Sequence, residues 1–189
     1  FEDWFVAGAA AAEGPAARLR RLDLRAARFG IFGELFRDVR IDATRAGADW
    51  TVRLASERVT GTVRVPGADD EPIDAELERL WFVEDDPAAG GDGQADPRAL
   101  PPARIRVADF VLGDMRFGRL AAQVSQRGDG VAVEPLTLTA PSFTITGNAL
   151  WVVEEGDVAR QRTELKLGLR STDIRATLTD LGYDPVLEG

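Results

Sequence analysis

No cysteine and no histidine occur among the 189 residues. Their absence removes the ligands and nucleophiles on which zinc, haem and thiol chemistry ordinarily rest. A thiol-free chain also suits an oxidising compartment such as a periplasm. Positive charge is in deficit: 23 Lys and Arg stand against 32 Asp and Glu, a formal net charge of −9. Such a surface repels phosphate backbones, so nucleic acid is not an expected partner. No stretch of about 18 apolar residues is present, so no segment is expected to cross a bilayer as a helix. Phe5 to Ala12 is apolar but short and lacks a basic flank, unlike a secretory signal. The sequence starts at Phe1 rather than methionine, which suggests a segment of a longer protein. No cofactor and no metal site is expected.

What the chain does have is alternation. From Arg104 to Val153 apolar residues fall on every second position: Ile105 and Val107, then Leu120, Ala122 and Val124, then Val131 and Val133, then Phe143 and Ile145. Period-two patterns of this length predict half-buried β-strands. Arg127 to Gly130, Glu134-Pro135 and Ala140 to Ser142 supply the breaks.

In chain order, residues 1–17 are Ala-rich and end at Gly14-Pro15, which predicts a helical lead-in. Residues 18–83 predict a first set of strands, with a bend at the glycines of Phe29 to Gly33 and a tight turn at Ala46 to Asp49. Within it Ile73 to Val83 reads as a strand by its neighbours, although Glu76 to Phe82 alone has helical character. Residues 84–102 are an Asp-, Gly- and Pro-rich loop. Its Asp85, Asp86, Asp92 and Asp96 do not have the spacing of an EF-hand or of a glycine-aspartate repeat, so solvated loop is preferred to calcium site. Residues 103–170 predict a second set of strands. In 171–189, Ser171-Thr172-Asp173 caps a helix with Ile174, Leu178 and Leu181 on one stripe, and Gly182 stands at its C-terminal cap.

The two strand sets match each other. Phe29 aligns with Phe110, Ile31 with Leu112, Phe36 with Phe117, Val39 with Leu120 and Val52 with Val133, at a constant offset of 81. After a short insertion Val59 aligns with Ile145, Gly61 with Gly147 and Val65 with Trp151 (offset 86). A duplicated set of β-hairpins predicts one mainly β fold: a long, curled antiparallel meander with short helices near its ends. About ten strands at roughly 4.8 Å spacing span roughly 50 Å. Its concave face would carry Phe29, Ile31, Val39, Ile41, Trp50, Val52 and Leu54 from the first set. The second set would add Phe110, Leu112, Leu120, Val131, Val133, Leu136, Leu138, Ile145 and Trp151. Arg40, Asp42, Arg53, Arg64, Gln123, Ser125 and Thr137 would face the other way.

One short helix at each end cannot cover such a face. Either the sheet closes into a barrel or sandwich, or its apolar side meets something else. A protein partner would make the chain a scaffold; an apolar ligand would make it a carrier. Catalysis is the weakest reading, since Asp69-Asp70 and Glu154-Glu155 are adjacent carboxylates in turns, and no His or Cys supports them. Trp4, Trp50, Trp81 and Trp151 are read as core or groove lining in preference to sugar-stacking platforms.

Several of these features together resemble the YhdP/AsmA-like family. They are Leu100-Pro101 before a strand, Asp109-Phe110, Phe117-Gly118-Arg119-Leu120, Gly147 four residues before Trp151, and Ser171-Thr172-Asp173-Ile174 with Leu181-Gly182-Tyr183. Trp50, Leu54 and Gly61 repeat the outline in the first half, so the likeness covers roughly residues 20 to 185. The resemblance implies a periplasmic protein anchored in the bacterial inner membrane by a helix outside this segment. It implies a β-sheet curled into an apolar groove, phospholipid acyl chains as cargo between inner and outer membranes, and further envelope proteins as partners.

Overall fold

A computed structural model describes residues 19–31, 34–68, 70–82 and 96–183. Ten strands form a single sheet in sequence order: β1 (Arg21–Ile31), β2 (Glu34–Ala46), β3 (Asp49–Ala55), β4 (Val59–Val65), β5 (Ile73–Phe82), β6 (Ala103–Leu112), β7 (Met115–Arg127), β8 (Gly130–Thr139), β9 (Phe143–Glu154) and β10 (Asp157–Ser171). The order runs from β1 to β10 without the two end strands pairing, so the sheet is open. The helical lead-in of 1–17 lies outside the described residues. Ile73–Phe82 is a strand despite its helix-forming composition, because β4 and β6 flank it on both sides.

The duplication is plain in the strands themselves. β2 and β7 share both boundaries at the offset of 81, Glu34 with Met115 and Ala46 with Arg127. Each copy is therefore a five-stranded unit, β1–β5 and β6–β10. Five is odd, and this corrects the expected all-antiparallel meander. The last strand of one unit points the same way as the first strand of the next, so β5 and β6 pair in parallel. The remaining neighbours are antiparallel. A parallel pair needs a connection that returns along the strand, a distance of roughly 30 Å for ten residues. The Asp-, Gly- and Pro-rich stretch of 84–102 is that return, and its described end holds a 3-10 turn at Pro97–Ala99.

The alternation slips by one residue at a common level of the sheet. The inward side chains step by three between Ala26 and Phe29, Phe36 and Val39, Leu77 and Leu80, Val107 and Phe110, and Phe117 and Leu120. Asp38 and Gly118 take left-handed φ of 50° and 73° there, and bulges at such points bend a strand. Beyond the slip stands a row of phenylalanines. Ring centroids are 5.9 Å apart for Phe36–Phe82, 6.0 Å for Phe82–Phe110, 5.9 Å for Phe110–Phe117 and 6.4 Å for Phe117–Phe143. Phe36 on β2 and Phe82 on β5 are three strand spacings apart, roughly 14 Å in a flat sheet. Their contact requires the sheet to curl toward its apolar side.

A helix, α1 (Ile174–Asp180), follows β10. Asp173 accepts from the Ala176 amide at 3.1 Å as the expected cap, and Gly182 has the left-handed φ of 78°. The Ser142 hydroxyl donates to Asp180 at 2.6 Å, and Thr177 Oγ1 donates to the Ser142 carbonyl at 3.0 Å. Leu181 joins the aromatic cluster of the second unit, but Ile174 is exposed, so the expected three-residue stripe is incomplete.

At two equivalent glycines neighbouring strands approach closely. A Cβ on Gly61 would lie 2.6 Å from Leu77 Cα, and one on Gly147 would lie 3.0 Å from Leu167 Cα, each also colliding with the preceding carbonyl. The obstacles are backbone, which cannot turn aside. Gly61→Ala is expected to lower stability by about 1–3 kcal/mol, the range for overpacked positions, measurable by urea unfolding.

Candidate apolar groove

Pairing register assembles the concave face. One row passes through all ten strands: Leu24, Ile41, Leu54, Gly61, Leu77, Val107, Leu120, Leu138, Ile145, Leu169. The next row does the same: Leu22, Ala43, Val52, Val63, Ala75, Ile105, Ala122, Leu136, Gly147, Leu167. Neither contains a polar side chain. Directly opposed strand residues share a face, so these are two unbroken apolar lines from one sheet edge to the other. The second line alternates large residues with Ala43, Ala75, Ala122 and Gly147, which leaves hollows between the leucines and valines. The backbone beneath is already paired strand to strand, so this face offers little hydrogen bonding to a ligand.

Apart from Ile31, the residues expected to line the groove fall on this face in the register. Their environments differ. Val39, Leu54, Val131, Leu138 and Ile145 are buried by the chain's own side chains. Phe29, Ile41, Trp50, Val52, Phe110, Leu120, Val133, Leu136 and Trp151 are half-buried, and Leu112 is exposed. Ile31 pairs with Glu34 in the backbone register, and its side chain lies outside the description. The accessible lining is therefore the half-buried group. Leu77, Val63, Ala75 and Ile105 belong to it too, and alternation on β4, β5 and β6 carried the signal for them. Leu165, Leu167 and Leu169 extend the face onto β10, where they are exposed.

The two strand ends of the sheet are unlike. Phe36, Phe82, Phe117 and Phe143 fill the end beside α1. At the other end Trp50 lies under Arg45, with the guanidinium carbon 5.9 Å from the ring centre, and Trp151 donates to Gln161 at 2.9 Å. The 3-10 turn at Pro97–Ala99 lies against β8 and β9 there, with Pro97 buried. Gln126, in the row of Val131 and Trp151, donates to the Arg98 carbonyl at 2.9 Å. The returning connection thus straps this end of the second unit. Trp81 departs from the expected lining: it stands on the polar face, donates to Asp109 at 2.9 Å and lies under Arg79. Trp4 lies outside the described residues.

The polar face carries the charge. Arg64 reaches Asp49 at 2.7 Å, Asp74 at 3.7 Å and Glu71 at 3.8 Å. Its guanidinium and the Gly67 amide hold the Asp49 carboxyl below the usual carboxylate range. Asp96 is lowered in the same way by Arg98. Of the paired carboxylates, Glu154 and Glu155 are exposed and bonded to Arg162 and Arg160. A shallow depression of about 670 Å³ is bordered by Leu77, Val107 and Leu120 as well as by Glu76, Glu78, Arg106, Arg119 and Thr137. Among the described residues no three His, Cys, Asp or Glu side chains converge on a metal position, and no helix is long and apolar enough to cross a membrane. Asp85, Asp86 and Asp92 lie outside the described residues.

Against known proteins, a family model described as YhdP protein matches residues 3–189. No curated protein and no solved structure matches the chain.

Proposed function

The chain belongs to the YhdP family, and on that footing we propose that it is a segment of a periplasmic bridge that carries phospholipids between the inner and outer bacterial membranes. The observation that carries this reading is the pair of apolar rows running unbroken through ten strands to both open edges. An acyl chain entering water is penalised by about 0.8 kcal/mol per methylene, so exposing ten costs roughly 8 kcal/mol. A trough with no polar interruption removes that penalty along its whole length. The charged headgroup stays in solvent at the open side. No bond is made or broken, which fits a lining without nucleophile, acid or base. A polypeptide ligand would leave its own amides unpaired over such a surface; a hydrocarbon tail has none to pair.

The parent protein would hold this segment in the periplasm from an inner-membrane anchor, with envelope proteins receiving it at the outer side. The chain purified from a bacterial envelope host is expected to carry phospholipid, read by mass spectrometry of an organic extract. After delipidation it should take up a fluorescent-tail phospholipid from detergent. Protein that carries no phospholipid and takes up none would overturn the reading.

A further inference from the structure

The depression of about 670 Å³ opens on the polar side of the sheet. Thr137 and Thr139 border it, and Leu138 between them does not. Leu77, Val107 and Leu120 turn their side chains to the trough, so they border it through backbone. It lies where the alternation of β5, β6 and β7 slips, and a bulged strand bends at such a point. The hollow stays open because its floor is small: Gly61, Ala108 and Ala121.

Register sets the charges around it. In one row Glu76 lies beside Arg106, Arg106 beside Ala121 and Ala121 beside Thr137. In the next row Glu78 lies beside Ala108, between the pairs Leu77–Val107 and Arg79–Asp109, and Arg119 lies beside Thr139. Arg106 and Arg119 therefore stand on one diagonal of a square whose other corners are Ala108 and Ala121. Arg106 bonds Glu76 at 2.9 Å, but both side chains are exposed, and an exposed pair gives up its partner at little cost. Glu78 and Arg119 are exposed and make no ion pair or side-chain hydrogen bond with the described residues. Asp109, the other carboxylate near Arg119, is taken by Trp81 at 2.9 Å and Arg116 at 3.1 Å. Two negative charges on β5 thus face two positive charges on β6 and β7, and they sum to zero.

We propose that this hollow binds a small zwitterion, with its oxyanion between Arg106 and Arg119 and its ammonium at Glu78. Two guanidiniums converging on one oxyanion make strong, charge-assisted hydrogen bonds. Thr137 and Thr139 add hydroxyls at that end. β5 and β7 are two strand spacings apart, roughly 10 Å. After a hydrogen bond of about 2.9 Å at each end, about 4 Å remains between the charges of the ligand. An amino acid or an aminoethyl phosphate has its charges at about that separation. The floor offers no seat for an acyl chain, so the ligand is water-soluble and the site is separate from the trough. The first unit does not repeat the pattern: at the offset of 81, Asp38 stands for Arg119 and Arg40 for Ala121. The arrangement is therefore not a demand of the fold. The inference stands whatever fills the trough.

Isothermal titration with L-serine and with O-phosphoethanolamine tests it, the first offering a carboxylate and the second a phosphate. Saturable binding of either is expected, with Kd on the order of 1 mM or tighter. Acetate, inorganic phosphate and ethylamine carry one sign of charge each and are expected to bind at least tenfold more weakly. Arg119→Gln and Glu78→Gln should each weaken the zwitterion at least tenfold. In the natural chain the Arg119 Nε–H resonance should shift as the zwitterion is added. Binding of neither zwitterion, equal binding of the single-charge probes, an unmoved Arg119 resonance, or full binding by a folded variant would overturn the proposal. A melting curve checks each fold. If Arg119→Gln loses its transition, Ala108→Val takes its place: it fills the floor, leaves all four charges and should weaken the zwitterion to the same degree.

Discussion

Glutamate at Ile145 is expected to unfold the protein, whereas glutamate at Val133 leaves it folded and strips it of lipid. Both positions lie on the concave face, Ile145 in the row of Leu138 and Val133 in the row beyond that of Leu136, and a sequence pattern does not separate them. Burial does. Ile145 is 8% exposed, between Leu138 and Leu169 and beneath Phe143 and Phe117 in one apolar cluster. A carboxylate there has no partner within that cluster. It costs several kcal/mol, on the order of the whole margin of a domain of this size. Val133 pairs with Val124 and Ala149 and is half-buried, so its carboxylate can reach water. The fold survives, but a charge now stands where a hydrocarbon tail would lie. Phospholipid uptake by Val133→Glu should fall on the order of tenfold, equivalent to about 1.4 kcal/mol, with an unchanged far-ultraviolet circular dichroism spectrum. Full uptake by a folded Val133→Glu protein would remove that part of the face from the lipid path.

Much of this architecture is legible in the order of residues. The 81-residue offset aligns β2 with β7 end to end, because equivalent strands keep the same apolar side and the same turn glycines. Alternation also placed the groove candidates on one face. The parallel contact was hidden for a different reason. Strand direction depends on whether a unit has an odd or even number of strands, and each alternating stretch looks the same run forwards or back. The long connection of 84–102 was the available sign, since an antiparallel neighbour needs only a short turn. Which lining residues are covered was also hidden. That depends on rings meeting across strands distant in sequence, such as Phe36 with Phe82, 46 positions on. The three-residue steps at Ala26–Phe29, Val107–Phe110 and Phe117–Leu120 marked the bend, but a slipped alternation in sequence is equally consistent with a strand ending.

Alanine at Phe36 or at Phe143 is expected to lower one and the same melting transition, although the two rings belong to different units. Phe36 is 1% exposed and Phe143 2%. Truncating a buried phenylalanine removes its transfer free energy and leaves a cavity, together about 3–5 kcal/mol. For a chain of this length that is a fall on the order of 10 °C in Tm. In a simple linear repeat each unit answers mainly for itself, and the two changes would melt separate halves. Here the contacts Phe36–Phe82, Phe82–Phe110, Phe110–Phe117 and Phe117–Phe143 carry aromatic packing across the parallel junction. Phe82 and Phe110 are the pair that bridges the units, and edge-to-face rings contribute about 0.5–1.5 kcal/mol beyond their buried area. Phe82→Ala should therefore do something neither terminal change does: uncouple the halves, so that a later Phe36→Ala substitution splits calorimetric unfolding into two steps. A single sharp transition in that double variant would show that the strand pairing of β5 with β6 holds the units together without the rings.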